Sequence, residues 1–237
     1  MNVLVDYNNV IEIHRRRGVV FIVDKILEAL REARRLPTAR LDVRLYDGWY
    51  DQQTLTRRAQ EVSAQAQSSF PMTRKFSDGT TTQTIVVKVE LAYSLLCAPA
   101  QHLWHTFRSS IHAGDVIFRH PSTVGCADAA CPLIAAHRFL QNRRCPAAGC
   151  KITPEALLHR AEQKLVDTMM ATDLFAIFHQ QLFREVAIVS SDDDLWPPIK
   201  LLLQLGLRVI HIHTASDRTT PAMYSRNAGT NYVQLHL

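Results

Sequence analysis

Short runs of apolar, β-branched residues alternate along this chain with segments of helical periodicity, and two of those runs stop at carboxylates. NVLVD occupies 2–6 and ends in Asp6; VAIVS occupies 186–190 and leads into Ser191-Asp192-Asp193-Asp194. Further runs of strand character are LDVRLY at 41–46, DVIFR at 115–119 and LRVIHIH at 207–213, with 231–235 as a possible edge strand. Between them, 19–35 carries apolar residues at 19, 22, 23, 26, 27 and 30, a helical spacing that Pro37 stops. Residues 52–67 and 196–205 read as helices, the latter ending at Gly206. For 85–96 helix is the first expectation and strand the alternative; 68–84, rich in Ser, Thr and Gly, reads as a loop. Thr153-Pro154 looks like a helix start, with a long helix expected to about Phe183. Strands alternating with helices predict an α/β fold: a parallel sheet with helices on both faces, three layers in all.

The chain has 237 residues, 47% of them apolar, enough for one large domain over 1–237 with a sizeable core. No apolar stretch reaches the roughly 18 residues of a membrane span. MNVLVDYNNV lacks the basic start of a secretory signal, so no membrane partner and a cytoplasmic location are expected. The net charge is +5 and arginines cluster at 15–17, 34–35, 57–58 and 143–144. Each run taken alone is an ordinary solvated surface. Together with clustered acids they suit a polyanion held over an acidic metal pocket.

In parallel sheets, ligands bind beyond the carboxyl ends of the strands. Asp6, followed by Asn8 and Asn9, and the 192–194 aspartates arrive at that edge. Close carboxylates repel, and a divalent cation with oxygen ligands relieves this; without one, a pKa must rise. The competing reading is helix capping, in which Asp193 or Asp194 accepts backbone hydrogen bonds ahead of 196–205. Capping explains one aspartate and leaves two. A third contribution comes from EQKLVDTMMATDLF: on a helix, Lys164 and Asp167 share a face among apolar residues, either as a surface ion pair or turned to a polar cleft. Asp173 would point about 120° from Asp167 on a straight helix, a weaker candidate.

Three blocks, VLVDYNNV at 3–10, KLVDTMMATD at 164–173 and IVSSDDDLWPPI at 188–199, resemble the signature blocks of NYN domains of the PIN-like nuclease superfamily. Asp6 and Asn9 match the first, Lys164, Asp167 and Asp173 the second, and Ser190, Asp192 and Asp194 the third; VRLYDGWY resembles the family's second strand and LGLRVIHI its ending. The resemblance covers roughly 1–50 and 155–215. Ser191 stands where the family commonly has glycine, and Asn8 where relatives often carry an acid. The resemblance implies a PIN-like fold and a metal-dependent ribonuclease leaving 5′-phosphate and 3′-hydroxyl ends. Asp6, Asp167, Asp192 and Asp194 would hold Mg²⁺ or Mn²⁺, the metal activating water for in-line attack. Asn9 would position a water or phosphate oxygen, and Lys164 would bind the scissile phosphate or fix Asp167.

The middle of the chain is not covered by the resemblance. There Cys126, Cys131, Cys145 and Cys150 form C-x4-C, thirteen residues, C-x4-C. This pattern suits a structural zinc in an insertion at about 120–152, with His137 as a substitute ligand; disulfides and unligated thiols are the alternatives. His211 and His213 share one face of their strand, but no H-E-x-x-H spacing appears. Trp49, Tyr50 and Trp104 would suit base stacking, or simply core packing. The function expected is a Mg²⁺- or Mn²⁺-dependent ribonuclease with RNA as partner. The alternatives are a nucleic-acid-binding protein without turnover and a phosphohydrolase acting on small phosphate esters.

Overall fold

The computed structural model describes residues 1–77, 82–110, 118–158, 160–180 and 184–237, with backbone only at 108–110 and 160–162. In chain order the elements are β1 (Asn2–Asp6), α1 (Glu12–Arg16), α2 (Val19–Glu32), β2 (Arg40–Tyr46), β3 (Tyr50–Asp51), β4 (Thr54–Leu55), α3 (Arg57–Ser69), β5 (Met72–Ser77), β6 (Thr82–Leu91), β7 (Ser94–Leu95), β8 (Ala98–His102) and β9 (Phe107–Ser110). They continue with α4 (Pro132–Asn142), α5 (Pro154–Leu157), β10 (Arg160–Gln163), α6 (Val166–His179), β11 (Glu185–Val189), α7 (Trp196–Gln204), β12 (Arg208–His213), α8 (Ala222–Ser225) and β13 (Tyr232–His236). The chain divides into two compact units: 1–107 with 163–237, and 108–162. The second is wider than the insertion expected at 120–152.

The first unit is built on a seven-stranded sheet ordered β13-β12-β11-β1-β2-β6-β5. Every pairing is parallel except β5 with β6. Pleating sends alternate side chains of each strand to opposite faces. From β1, Val3 and Val5 enter one apolar cluster with Ile22, Ile26 and Leu30 of α2 and Ala59 and Val62 of α3. Leu4 enters the other, with Met170 and Leu174 of α6 and Ile199 and Leu202 of α7. In β11, Ala187 and Val189 join the first cluster and Val186 and Ile188 the second. The strands read as continuous apolar runs because both faces are covered, and the three-layer α/β expectation holds. No described helix is long and apolar enough to cross a membrane.

Two boundaries follow from local chemistry. Thr56 caps α3, its Oγ1 accepting from Ala59 N at 3.2 Å. Gly206, at φ +87°, ends α7 in a left-handed turn in which Leu207 N donates to Leu202 O at 3.0 Å.

Three expectations need correction. Residues 85–96 are not helical: Ile85, Val87 and Leu91 of β6 alternate inward at a strand's period of two, which outweighs the first guess. The loop expected at 68–84 is largely the antiparallel β5–β6 pair, in register from Met72↔Val87 to Ser77↔Thr82; residues 78–81 lie outside the described residues. The long helix from 153 to 183 is instead α5, β10 and α6. Tertiary hydrogen bonds hold the intervening segment extended: Lys164 N donates to Thr106 O at 2.9 Å and the Gln163 amide to Asp47, overriding local propensity. Lys164 and Asp167 therefore do not share a helical face. Residues 181–183 lie outside the described residues, as do 115–117 of the strand expected at 115–119. Phe118 and Arg119 have no regular structure.

In the second unit, α4 begins with Pro132 in its first turn and buries His137, whose ring meets His120 edge-on at 4.9 Å between centroids.

Candidate metal centre

Strand order reverses at β1, which pairs β2 on one side and β11 on the other. The carboxyl ends of β1 and β11 therefore flank a switch-point crevice. Val5 is level with Val189, so Asp6 and Ser190 emerge side by side. Ser190 Oγ donates to Asp6 Oδ2 at 3.2 Å. Asp192 leaves this turn, and Asp167 enters from the first turn of α6. Oxygens of Asp6, Asp167 and Asp192 lie within 4.8 Å of one another, and no other group of three or more His, Cys, Asp or Glu among the described residues does so. Residues 161 positions apart in sequence thus converge at one point.

Backbone detail holds the arrangement. Leu165 adopts φ +68° immediately before α6, a left-handed conformation costing a leucine about 1–2 kcal/mol; it turns the chain into the helix that carries Asp167. Asn9 ties three loops together. Its N–H donates to Asp6 Oδ1 at 3.2 Å, while its Oδ1 accepts from Ser191 N at 2.7 Å and Thr214 Oγ1 at 3.1 Å. The Asn9 amide oxygen thus fastens the β1 loop to those after β11 and β12.

Asp192 also caps: its side chain accepts from Asp194 N at 2.9 Å, opening the short turn Asp193–Leu195 before α7. The capping residue is Asp192, not Asp193 or Asp194, and capping coexists with its place in the triad. Asp194 stands outside the mutually close set, yet near enough to help raise the Asp167 carboxyl. Lys164 is half-buried between β10 and α6.

Burial pushes the Asp6 carboxyl up to about 7; the Asn9 N–H opposes this, Asp167 and Asp47 reinforce it, and Ser190 opposes it. Asp167 is raised by desolvation first, then by Asp192 and Asp194. Mutually repelling carboxylates, of which Asp6 is buried, Asp192 half-buried and Asp167 exposed, are poised to gain from a cation. The donor set is all oxygen, which fits Mg²⁺ or Mn²⁺ and disfavours soft metals.

Asp47 was missed. It follows β2 directly, one position past the Asp6↔Tyr46 register pair, and is 3% exposed. It accepts from Gly48 N at 2.6 Å, from Gln163, and from Arg58 at 3.1 Å. The signal was a third carboxylate at the end of a parallel strand. Asp173 lies elsewhere: fully buried, it accepts from Tyr46 Oη and Leu96 N at 2.7 Å each and pairs with Arg44 Nε at 3.1 Å. It is a structural ion-pair centre under α6.

Cys126, Cys131, Cys145 and Cys150 are half-buried free thiols. Among the described residues no three of their sulfurs lie within 4.8 Å of one another. His211 and His213 are buried, with ring centroids 4.3 Å apart. His211 Nε2 faces Ser190 O at 3.0 Å and Nδ1 faces Tyr232 Oη at 2.9 Å, a structural role behind the triad. Trp49 is fully buried core, whereas Trp104 is exposed and meets Tyr50 edge-on at 4.6 Å.

Comparison with protein-family models, with curated proteins and with solved structures finds no match for this chain.

Proposed function

We propose that the chain is a metal-dependent nuclease hydrolysing the phosphodiester bonds of RNA at the triad Asp6–Asp167–Asp192. The observation that carries this is the meeting of three carboxylates from distant segments at the switch point of a parallel sheet. The resemblance of the three sequence blocks to NYN domains supports the same reading, as does the arginine-rich surface.

A bound Mg²⁺ or Mn²⁺ supplies charge neutralisation, Lewis acidity toward a phosphoryl oxygen and a more acidic water. Asp6, Asp167 and Asp192 would hold it, with Asp194 beside them. Ser190 fixes one Asp6 oxygen and the Asn9 N–H the other, so the carboxylate is oriented in advance. Asp47 adds negative charge near Asp6 and helps to raise its carboxyl. Arginines at the rim meet the phosphates of the strand. The products would carry 5′-phosphate and 3′-hydroxyl ends.

The test is a cleavage assay with labelled RNA, DNA and nucleoside monophosphates, in Mg²⁺, Mn²⁺ and EDTA. The proposal predicts metal-dependent RNA cleavage that Asp192→Asn abolishes while the folded state persists. Normal cleavage by that variant, or hydrolysis confined to monophosphates, would contradict it.

A further inference from the structure

Arg15 of α1 and Arg58 of α3 converge on one acceptor. Arg15 Nη1 donates to Asn8 Oδ1 at 3.0 Å and Arg58 Nη1 to the same oxygen at 3.2 Å. Two guanidinium groups on one neutral amide oxygen are a poor electrostatic match, because the acceptor has no charge to offset their repulsion. Arg58 is balanced in part by Asp47 at 3.1 Å. Arg15 has no carboxylate partner among the described residues, unlike Arg16, Arg57 and Arg74, which pair with Glu12, Glu61 and Asp24. Asn8 is exposed and sits two residues from Asp6 in the loop of the candidate metal centre. The fork is thus built beside the site and open to an anion.

A cavity of about 630 Å³ adjoins it, lined in part by Asp47, Gly48, Gln52, Thr56, Arg58 and Phe107. That volume lies within the range of about 300–1,000 Å³ typical of small-ligand sites. Its lining offers an aromatic ring, a side-chain amide and hydroxyls, together with the carboxylates of Asp51 and of Asp47, the latter paired with Arg58. At Gly48 a side chain would press to 3.0 Å from Phe107 Cβ, so the floor is closely packed. Arg58 belongs both to the fork and to the cavity wall.

We propose that Arg15 and Arg58 clamp a backbone phosphate next to the scissile bond, and that the adjoining cavity receives the unpaired nucleotide attached to it. Guanidinium forks match phosphate oxygens, and an anion in place of the Asn8 oxygen satisfies both arginines. A base enters a concave cavity only when released from its stack, so the substrate is single-stranded. This rests on the nuclease reading for its place in the reaction, but binding can be measured without turnover.

The experiment is fluorescence anisotropy of a short labelled RNA strand, its DNA counterpart and the RNA duplex, in EDTA, across about 50–200 mM salt. Wild-type protein is expected to bind the single strands more tightly than the duplex. Arg15→Ala should weaken single-strand binding at least about tenfold and reduce the slope of log K against log salt by about 0.7. Arg15→Lys should restore the slope but only part of the affinity, because a point charge lacks the fork. Arg31→Ala, on the exposed side of α2, should change neither. Tighter binding of the duplex, no single-strand binding by wild type, or an unchanged affinity and slope in Arg15→Ala would each overturn the proposal. Loss of binding in Arg15→Ala without any metal-dependent cleavage by wild type would leave the clamp standing and remove the nuclease reading.

Discussion

Replacing Asp6 by asparagine should make the metal-free protein more stable, although it removes a charge from the centre of the molecule. Asp6 is 5% exposed and its carboxyl is pushed from 3.8 to about 7, by burial first, with Asp167 and Asp47 adding to the rise. A carboxyl whose pKa is raised on folding favours the folded state only while protonated. Its stabilising contribution is complete below the unfolded value near 3.8 and is lost as pH rises through about 7. At about 1.4 kcal/mol per pH unit, the ionised group costs up to about 4 kcal/mol at pH 8. Asparagine fills the same volume and can still accept from the Asn9 N–H. Its bond with Ser190 must rearrange, at a cost of about 1 kcal/mol. The net expectation for Asp6→Asn in EDTA at pH 8 is a gain of about 2–3 kcal/mol, or roughly 4–12 °C in Tm. The gain should shrink as pH falls and disappear near pH 4. Urea denaturation at several pH values in EDTA measures it. A variant that is less stable than wild type at pH 8, or a difference independent of pH, would refute the argument that the triad stores unfavourable charge for a cation.

The reciprocal effect is that Mg²⁺ or Mn²⁺ at one hundred times its Kd should stabilise wild type by about 2.7 kcal/mol and leave Asp6→Asn nearly unaffected, as read by thermal denaturation. His211, whose pKa burial and the neighbouring His213 push down to about 3, is neutral when folded. Its contribution is complete above the unfolded value of 6.5 and is lost as pH falls toward 3, costing about 1.4 kcal/mol at pH 5.5. Denaturation of His211→Gln and wild type between pH 5 and 7.5 should show their stability difference shifting against wild type by about that amount as pH falls, whereas a difference independent of pH would contradict it. Asp173→Ala should cost about 2–4 kcal/mol, because Arg44 keeps Glu90 and Ser94 O but loses its fully buried partner, and Tyr46 Oη and Leu96 N lose their acceptor; equilibrium unfolding checks it, and a cost below about 1 kcal/mol would contradict the ion-pair role.

The parts of the fold legible in the sequence were those fixed by apolar patterning. β1 and β11 are short apolar runs rich in valine and isoleucine because both sheet faces are covered, β2 and β12 carry enough alternating apolar residues to read as strands, and α2 carries a clean helical stripe. The elements that eluded it depend on distant partners. β10 is extended because Lys164 and Gln163 bond to Thr106 and Asp47, contacts no local pattern records. β5 lies at the sheet edge with every second residue exposed, so its apolar signal is dilute. At the candidate site, Asp6, Asp167 and Asp192 were legible as carboxylates at element ends. Asp47 has the same placement after β2 but stands alone rather than in a run. The engagement of the Asn9 oxygen and the burial of Asp173 depend on side-chain geometry, which spacing does not encode.

The central claim is that Asp6, Asp167 and Asp192 share one divalent cation. Anomalous diffraction from crystals of the protein soaked in Mn²⁺ tests it most directly. The account predicts a single strong peak, or a close pair, bounded by oxygens of these three aspartates and absent in Asp6→Asn crystals. Manganese bound elsewhere, with the triad left empty at saturating Mn²⁺, would contradict it.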